Sequence, residues 1–331
     1  MNRAERMESW LPKGPEPVAS EVHFAPSNIA LCKYWGKRDT ELNLPVNASL
    51  SVSLGELGSK TRVEPIDGAL DQVWLNGQQM PADSRFAQRV SSFIDLFRTH
   101  YPETRFRVQT ENNIPTAAGL ASSASGFAAL TRALNQVFAL GLSPTEQSIL
   151  ARLGSGSACR SLFDGFVEWQ MGVREDGLDS HAVPLDARWP GLCIGLVKVD
   201  ESEKSVDSRA GMRRTKETAH LYQSWPLQAS ADLIRLHEAI EGRDFGLLGS
   251  VAEQNALSMH ATMIASWPPL LYWQPASVAA MQKVWQLRAE GLALYFTMDA
   301  GPNLKLLFEA SSREAVLKHF PGLEIVQPFG D

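Results

Sequence analysis

The sequence predicts an α+β protein built as two mixed α/β sandwiches side by side, and three observations carry that expectation. Segments of strand period alternate with segments of helix period along the whole chain. A polar, proline-bearing stretch, "DSHAVPLDARWPG", separates two such halves. The 331 residues suffice for one large or two medium domains. The expected division is a loose leader over 1–21, a first domain over 22–190 and a second over 191–331.

From Val22 to about Tyr101 the pattern is mainly β. In "SLSVSLG", Leu50, Val52 and Leu54 alternate with serines, which marks a half-buried strand. "RVEPI" and "QVWLNG" read as further short strands, with "NG" as a hairpin turn. "SRFAQRVSSFIDLFRTHY" then changes period, and Phe86, Val90, Phe93 and Phe97 fall on one core-facing helical stripe. After the strand "FRVQTENN", a Gly- and Ser-rich loop feeds a helix carrying Phe127, Leu130, Leu134, Val137 and Phe138. Ser143, Pro144 and Glu146 have the form of a capping box with proline at the first helical position, opening a helix through Ile149, Leu150 and Leu153. "GSGSACRS" interrupts the pattern at 154–161, and "GFVEWQMG" resumes as strand.

The second half starts with the strand "LCIGLVKV". Helices follow in "ADLIRLHEAIEG", in "FGLLGSVAEQNALSMHATM" and from about Ser277 to Arg288, the last ended by Gly291. "ALYFTMDAGPNLKLLF" reads as strand, turn, strand, with Asp299, Gly301, Pro302 and Asn303 each favouring the corner. Ser311 with Glu314 offers another capping box before a last helix. No internal repeat is visible.

Composition narrows the function classes. A net charge of -6 and a pI near 5.7 give no electrostatic footprint for nucleic acid or an anionic membrane surface. An anionic ligand must therefore meet local positive charge. Cys32, Cys159 and Cys193 are too few and too scattered for a disulfide framework or a thiolate zinc site, and fit a reducing cytosol. The leader lacks the apolar core of a signal peptide, and no run reaches the roughly 18 apolar residues of a membrane span. A cytoplasmic protein is expected. The 7 histidines show no metal-ligand spacing and accompany no nucleophilic elbow, and the carboxylates of "EWQMGVRED" read as surface.

Four segments could carry chemistry. "PTAAGLASSAS", residues 115–125, has small residues that let a backbone approach an anion, ahead of a helix whose first N–H groups lack partners. Ser122 and Ser123 add hydroxyls for phosphate oxygens or a Mg²⁺ ion. Taken alone the segment is equally a small-residue turn with serine caps. "NIALCKYWGKRD" places Lys33 and Lys37 four apart around Tyr34, either to neutralise phosphate or to snorkel from a strand end. "GSGSACRS" offers flexible backbone donors, the hydroxyls of Ser155 and Ser157, and the planar fork of Arg160, which suits phosphate or carboxylate. "SVDSRAGM" repeats that formula more weakly with Ser208 and Arg209, and either loop could merely connect elements.

Taken in order, "NIALCKYWGKRD", "LPVNASLSVSL", "NNIPTAAGLASSASGFAAL", "ARLGSGSACRSLFDGFVEWQMG", "AGMRRTKET", "MHATM" and "FTMDAGPN" resemble the mevalonate diphosphate decarboxylase family over roughly residues 22–308. A phosphate loop alone would indicate only the wider GHMP kinase superfamily; "KYWGKRD", "GSGSACRS" and "DAGPN" point to the decarboxylase branch. The resemblance implies the GHMP kinase fold, with an N-terminal domain like ribosomal protein S5 domain 2 and a ferredoxin-like C-terminal domain. It also implies ATP-dependent conversion of (R)-5-diphosphomevalonate to isopentenyl diphosphate, ADP, phosphate and CO₂, with Mg²⁺ accompanying ATP, in a homodimer.

By the same resemblance Asp299 matches the catalytic aspartate, Lys33 would neutralise charge beside it, and Arg160 would hold the anionic groups of the substrate. Tyr34, Trp35, Gly36 and Lys37 fall in one substrate-binding segment, Ser155, Gly156, Ser157, Ala158 and Cys159 in a second, Ser208 and Arg209 in a third. Gly119, Leu120, Ala121, Ser122 and Ser123 match the ATP phosphate loop, with Asn28 beside it and Ser122 or Ser123 as a Mg²⁺ ligand. Two rivals stay open: a kinase acting at C3 of mevalonate or its monophosphate, with or without decarboxylation, and a non-catalytic metabolite sensor on the same fold. Asp299, Lys33 and Arg160 together favour the decarboxylase.

Overall fold

The computed structural model describes residue 11 and residues 14–114, 122–200 and 206–330. In the first half the chain runs through β1 (His23–Cys32), β2 (Lys37–Asp39), β3 (Leu44–Pro45), β4 (Ser49–Ile66), β5 (Gln72–Leu75), β6 (Gln78–Gln79), α1 (Arg85–Ile94) and β7 (Arg105–Asn112). It continues through α2 (Ser122–Val137), α3 (Pro144–Gly154), a 3-10 helix at Gly156–Leu162, β8 (Phe166–Trp169) and β9 (Ala182–Pro184). One sheet orders as β6-β5-β7-β4-β8-β9, with β1 also paired to β4. The β5–β7 pairing is parallel and the others are antiparallel.

Strand β4 organises this half. Leu50, Val52 and Leu54 are buried as expected, but Ser49, Ser51 and Ser53 between them are buried too. The expectation of a half-buried strand fails because both faces are covered: the second half of the chain packs on the leucines, and the 3-10 helix lies over the serine face, where Arg160 donates to Ser49 Oγ. Phe127, Leu130, Leu134 and Val137 of α2 pack with Val63, Phe106 and Val108 on one side, joined by Val90 and Phe93 of α1. The Ser143 capping box forms, Glu146 N donating to Ser143 Oγ at 3.3 Å and Ser143 N to Glu146 Oε2 at 2.8 Å. The end of the expected loose leader is pinned: Tyr101 Oη donates to the Gly14 carbonyl at 2.6 Å, and Ser20 N to the Val63 carbonyl at 2.8 Å. Those backbone groups find acceptors and donors on the sheet instead of water.

The second half comprises β10 (Leu192–Val197), α4 (Ser208–Thr218), α5 (Trp225–Gly242), α6 (Phe245–Ile264), α7 (Pro275–Ala289), β11 (Tyr295–Met298), β12 (Leu304–Glu309), α8 (Arg313–His319) and β13 (Glu324–Val326). Its antiparallel sheet orders as β11-β12-β10-β13. The second expected capping box is absent. Ser311 lies in a 3-10 turn at Ala310–Ser312, so α8 begins only at Arg313 and Ser312 precedes it without a side-chain cap. Leu248, Val251, Ala252 and Met259 of α6 share one core with Ile29 and Leu31 of β1 and with Leu50 of β4. That shared core fixes β1 against the second half. Among the described residues no helix is long and apolar enough to cross a membrane.

Candidate active site

The corner around Asp299 is built as the sequence suggests, between β11 and β12. The register sets Thr297 opposite Lys305, and so brings Lys305 beside the corner. Asp299 Oδ1 lies 2.9 Å from Lys33 Nζ, and Asp299 Oδ2 lies 3.2 Å from Lys305 Nζ. Both lysine side chains are 2% exposed, whereas that of Asp299 is 29% exposed. Burial alone would raise the Asp299 carboxyl; Lys33 and Lys305 outweigh it and hold the group far below the usual carboxylate range. Burial lowers Lys33 from its ordinary value, with Asp299 opposing.

Other groups fix the same corner from behind. Lys33 Nζ donates to the Ala30 carbonyl at 2.7 Å, and Lys33 N donates to Asn255 Oδ1 at 2.8 Å. His260 Nε2 donates to the Asp299 carbonyl at 3.0 Å. Burial pushes His260 down to about 4, so its ring is neutral near pH 7.

Arg160 forms the adjoining wall. "GSGSACRS", read as a flexible loop, is instead largely a buried 3-10 helix, because its small residues allow close packing. At Gly156 an added Cβ would lie 2.8 Å from the Tyr34 ring. The buried Arg160 guanidinium donates to Ser49 Oγ and, at 3.3 Å, to Asn28 Oδ1, and it lies 6.0 Å from the centre of the Trp169 ring. Arg160 Nε and Tyr34 Oη are buried without a partner among the described residues. Such groups are rare and call for a ligand or water.

The third wall is more exposed. Helix α2 starts with Ser122 and Ser123, and Ser123 Oγ lies 3.4 Å from Ser155 Oγ. Ser208 and Arg209 do not sit in a loop: Asp207 accepts from the N–H groups of Arg209 and Ala210 at 2.9 and 3.0 Å and caps α4. Arg209 donates to the Gly154 carbonyl at 2.8 Å, and Arg85 pairs with Asp207 at 2.7 Å. Burial lowers Arg89 to about 10, aided by Arg209 and Arg85 nearby. Gly119, Leu120 and Ala121 lie outside the described residues.

These walls enclose one cleft of about 710 Å³. Among its described lining residues the charged ones are Lys33, Lys37, Arg85, Arg89, Arg160 and Arg209 against Asp207 and Asp299. Six cations facing two carboxylates fit a polyanionic ligand.

Several expected contact residues support the wall instead of lining it. Trp35 is buried in the shared core and only edges the cleft. Gly36 has φ of 111°, and a Cβ there would meet Tyr222 Oη at 1.7 Å. Ala158 is fully buried, and the Cys159 thiol donates to the Gly156 carbonyl at 3.0 Å, burial pushing it up to about 12. Lys37 does line the cleft while its Nζ donates to Asn43 Oδ1 at 2.5 Å. Asn28, expected beside the phosphate loop, is committed to Arg160 and to Ser161 Oγ at 2.7 Å. Glu168 is not surface either: His237 Nε2 contacts its Oε2 at 2.8 Å.

Lys305, His260 and Asn255 were not singled out from sequence. Lys305 left a signal, a single cation inside the apolar run "NLKLLF", because a buried lysine needs a counter-charge. His260 and Asn255 left only their places on an apolar helix. Among the described residues no group of three or more His, Cys, Asp or Glu could hold a metal.

Comparison with known proteins places this geometry. The family model described as diphosphomevalonate decarboxylase-like N-terminal domain matches residues 25–182, and that described as mevalonate 5-diphosphate decarboxylase C-terminal domain matches residues 194–324. The diphosphomevalonate decarboxylase of Aspergillus fumigatus is 39% identical over 88% of this chain and 77% of its own length. That of Candida albicans is 37% identical, covering 89% of this chain and 87% of its own. A solved structure described as MDDEF in complex with MVAPP, AMPPCP and magnesium superposes with a TM-score of 0.87 at 41% identity, over 94% of this chain and 98% of that one. The mevalonate diphosphate decarboxylase of Staphylococcus aureus superposes with a TM-score of 0.87 at 38% identity, over 95% and 96%. The expected GHMP kinase fold, mixed α/β in both halves, is thereby established. On these matches across both halves, the chain belongs to the diphosphomevalonate decarboxylase family.

Proposed function

We propose that the chain catalyses the ATP-dependent decarboxylation of (R)-5-diphosphomevalonate, forming isopentenyl diphosphate, ADP, phosphate and CO₂. The observation that carries this is Asp299 paired with Lys33 in a cationic cleft that Arg160 also lines. A tertiary C3 hydroxyl is a poor leaving group until it is phosphorylated. Phosphate can then depart while loss of CO₂ supplies the new double bond.

Asp299 accepts a hydrogen bond from the C3 hydroxyl and aims its oxygen at the γ-phosphorus. Lys33 and Lys305 hold the carboxyl below its usual range, so it meets the hydroxyl as a carboxylate that can orient it and accept its proton as the phosphoryl group transfers. Lys33, in contact with Asp299 and lining the cleft, neutralises charge on the transferring phosphoryl group. Arg160 Nε and Tyr34 Oη offer donors to the substrate's carboxylate. Lys37, Ser155, Gly156, Ser157, Ser208 and Arg209 grip the diphosphate, and remote binding there positions the reacting carbon. Trp35, Gly36, Ala158 and Cys159 shape the wall behind them.

The nucleotide's phosphates would lie at the N-terminus of α2, on Gly119, Leu120, Ala121, Ser122 and Ser123. The fit is favourable there, since the first turn of α2 has no acidic residue to repel an anion. The AMPPCP and magnesium of the similar structure support ATP and Mg²⁺ for this chain. With no carboxylate cage among the described residues, Mg²⁺ would be held mainly by the nucleotide, with Ser122 or Ser123 adding a hydroxyl, and would offset phosphoryl charge.

The reading extends to a cytoplasmic homodimer, with domains over 22–190 and 191–331. Three buried free cysteines support a reducing compartment. Strands up to Pro184 in one sheet and from Leu192 in another support the division. Family membership supports the dimer, which light scattering would test.

Purified protein given ATP with mevalonate, its 5-phosphate or its 5-diphosphate decides the substrate. ADP and CO₂ in equal amounts from the diphosphate alone are expected. ADP without CO₂ would replace the decarboxylase with a kinase, and neither product would favour a sensor.

A further inference from the structure

The mechanism above leaves Lys305 unused. It lies in β12 among Leu304, Leu306, Leu307 and Phe308, all fully buried. An ammonium in such surroundings requires a counter-charge, which Asp299 Oδ2 supplies at 3.2 Å. Unlike Lys33 and Asp299, Lys305 is not part of the cleft lining. The same carboxylate is therefore held by one cation that meets the ligand and by another that sits behind the wall.

Charged and titratable groups approach Asp299 from every side. Lys33 comes from the end of β1, Lys305 from β12 and Arg160 from the 3-10 helix, while the neutral His260 of α6 holds the backbone. Of the three cations only Lys305 lies outside the cleft. Incoming phosphoryl oxygens compete with Asp299 for Lys33 and Arg160. Lys305 is absent from the lining they would meet.

We propose that Lys305 is a positioning residue that keeps the Asp299 carboxylate aimed while Lys33 turns to the phosphoryl group. The reaction it serves rests on the decarboxylase reading; the ion pair does not. Lys305 acts through its ion pair with Asp299.

The test uses the full chain as wild type, Lys305→Met, Lys305→Arg, Asp299→Asn and the Asp299→Asn/Lys305→Met double variant. Lys305→Met should lower kcat about 10- to 100-fold, the scale of a slightly misplaced reacting group, with both KM values within about threefold of wild type. Lys305→Arg should recover most of that loss by restoring a cation. In the Asp299→Asn background the methionine change should cost no further turnover, because the group it acts through is gone. An unchanged kcat, a loss expressed in KM alone, or an equal loss in both backgrounds overturns the proposal.

Melting temperatures of the same variants judge the pair without the reaction. Asp299→Asn should lower Tm by leaving two buried lysines against a neutral amide, and adding Lys305→Met should recover part of it. Additive changes would overturn the pairing. A wild-type chain that consumes no diphosphate would sink the function reading instead, and the Tm cycle would still decide the coupling.

Discussion

Two partly buried clusters of charge in this molecule have opposite balance. At Asp71 and Asp95 two carboxylates share one guanidinium: Arg98 donates to Asp71 Oδ1 and Oδ2 at 2.9 and 2.7 Å, to Asp95 at 2.7 Å and to the Thr104 carbonyl at 3.0 Å. At Asp299 two ammoniums share one carboxylate, with Arg160 near and two buried donors without partners among the described residues. Both clusters border hollows, of about 490 and 710 Å³. The first spends its donors on the protein and ties β7 to its neighbours. The second keeps a surplus of positive charge and open donors, which is what a polyanionic ligand can satisfy. Charge left over, more than cavity size, separates the site from the scaffold.

Substitutions can break this contrast. The largest effect belongs to Asp299→Asn, which should keep the fold and nucleotide binding but lower turnover by about three to five orders of magnitude. Steady-state ADP release, beside binding of a fluorescent nucleotide, checks it, and near-normal turnover would remove Asp299 from the chemistry. Arg98→Met should act the other way. By stranding the buried Asp71 carboxylate it should cost about 3–5 kcal/mol in urea unfolding, while kcat of the remaining folded protein stays within about twofold. A kcat collapse without destabilisation would mean the first cluster is functional too.

Two smaller effects sharpen the picture. Arg160→Lys keeps the charge but loses the fork that reaches Ser49 and Asn28, and should reduce kcat/KM about 10- to 100-fold. An unchanged value would count against its contact with substrate. His260 links pH to the corner. Its folded value of about 4 lies below its ordinary 6.5, so between the two the unfolded chain holds more protons. The stability this contributes is complete above pH 6.5 and is lost as pH falls toward 4. From pH 7 to 5 the loss should be about 2 kcal/mol, read by urea unfolding, and His260→Gln should flatten the slope.

Much of the fold was legible because period and capping are local. The Ser143 box, the α2 stripe and the corner at Asp299 each depend on neighbours in sequence. The failures depend on distant ones. Asn28 and Arg160 lie 132 residues apart, and only the folded sheet joins them. The serines of β4 looked solvent-facing because nothing in "SLSVSLG" announces the 3-10 helix whose Arg160 reaches Ser49, while α6 packs on the leucines of the opposite face. "GSGSACRS" was read as a loop from its glycines and serines, whereas small side chains there permit tight packing against Tyr34 and Trp169. Ser311 had a box's spacing, but a 3-10 turn moves the helix start past it. Catalytic roles came from a motif's resemblance; the second lysine on Asp299 came only from strand register.

The central claim is that the cationic cleft around Asp299 couples phosphoryl transfer to loss of CO₂. Its most direct test is the ratio of CO₂ to ADP formed from ATP and (R)-5-diphosphomevalonate, in wild type and in Asp299→Asn under identical conditions. The account predicts one CO₂ per ADP in the wild type and the joint disappearance of both products in the variant. ADP released without CO₂, or both products formed at the wild-type rate by Asp299→Asn, would contradict it.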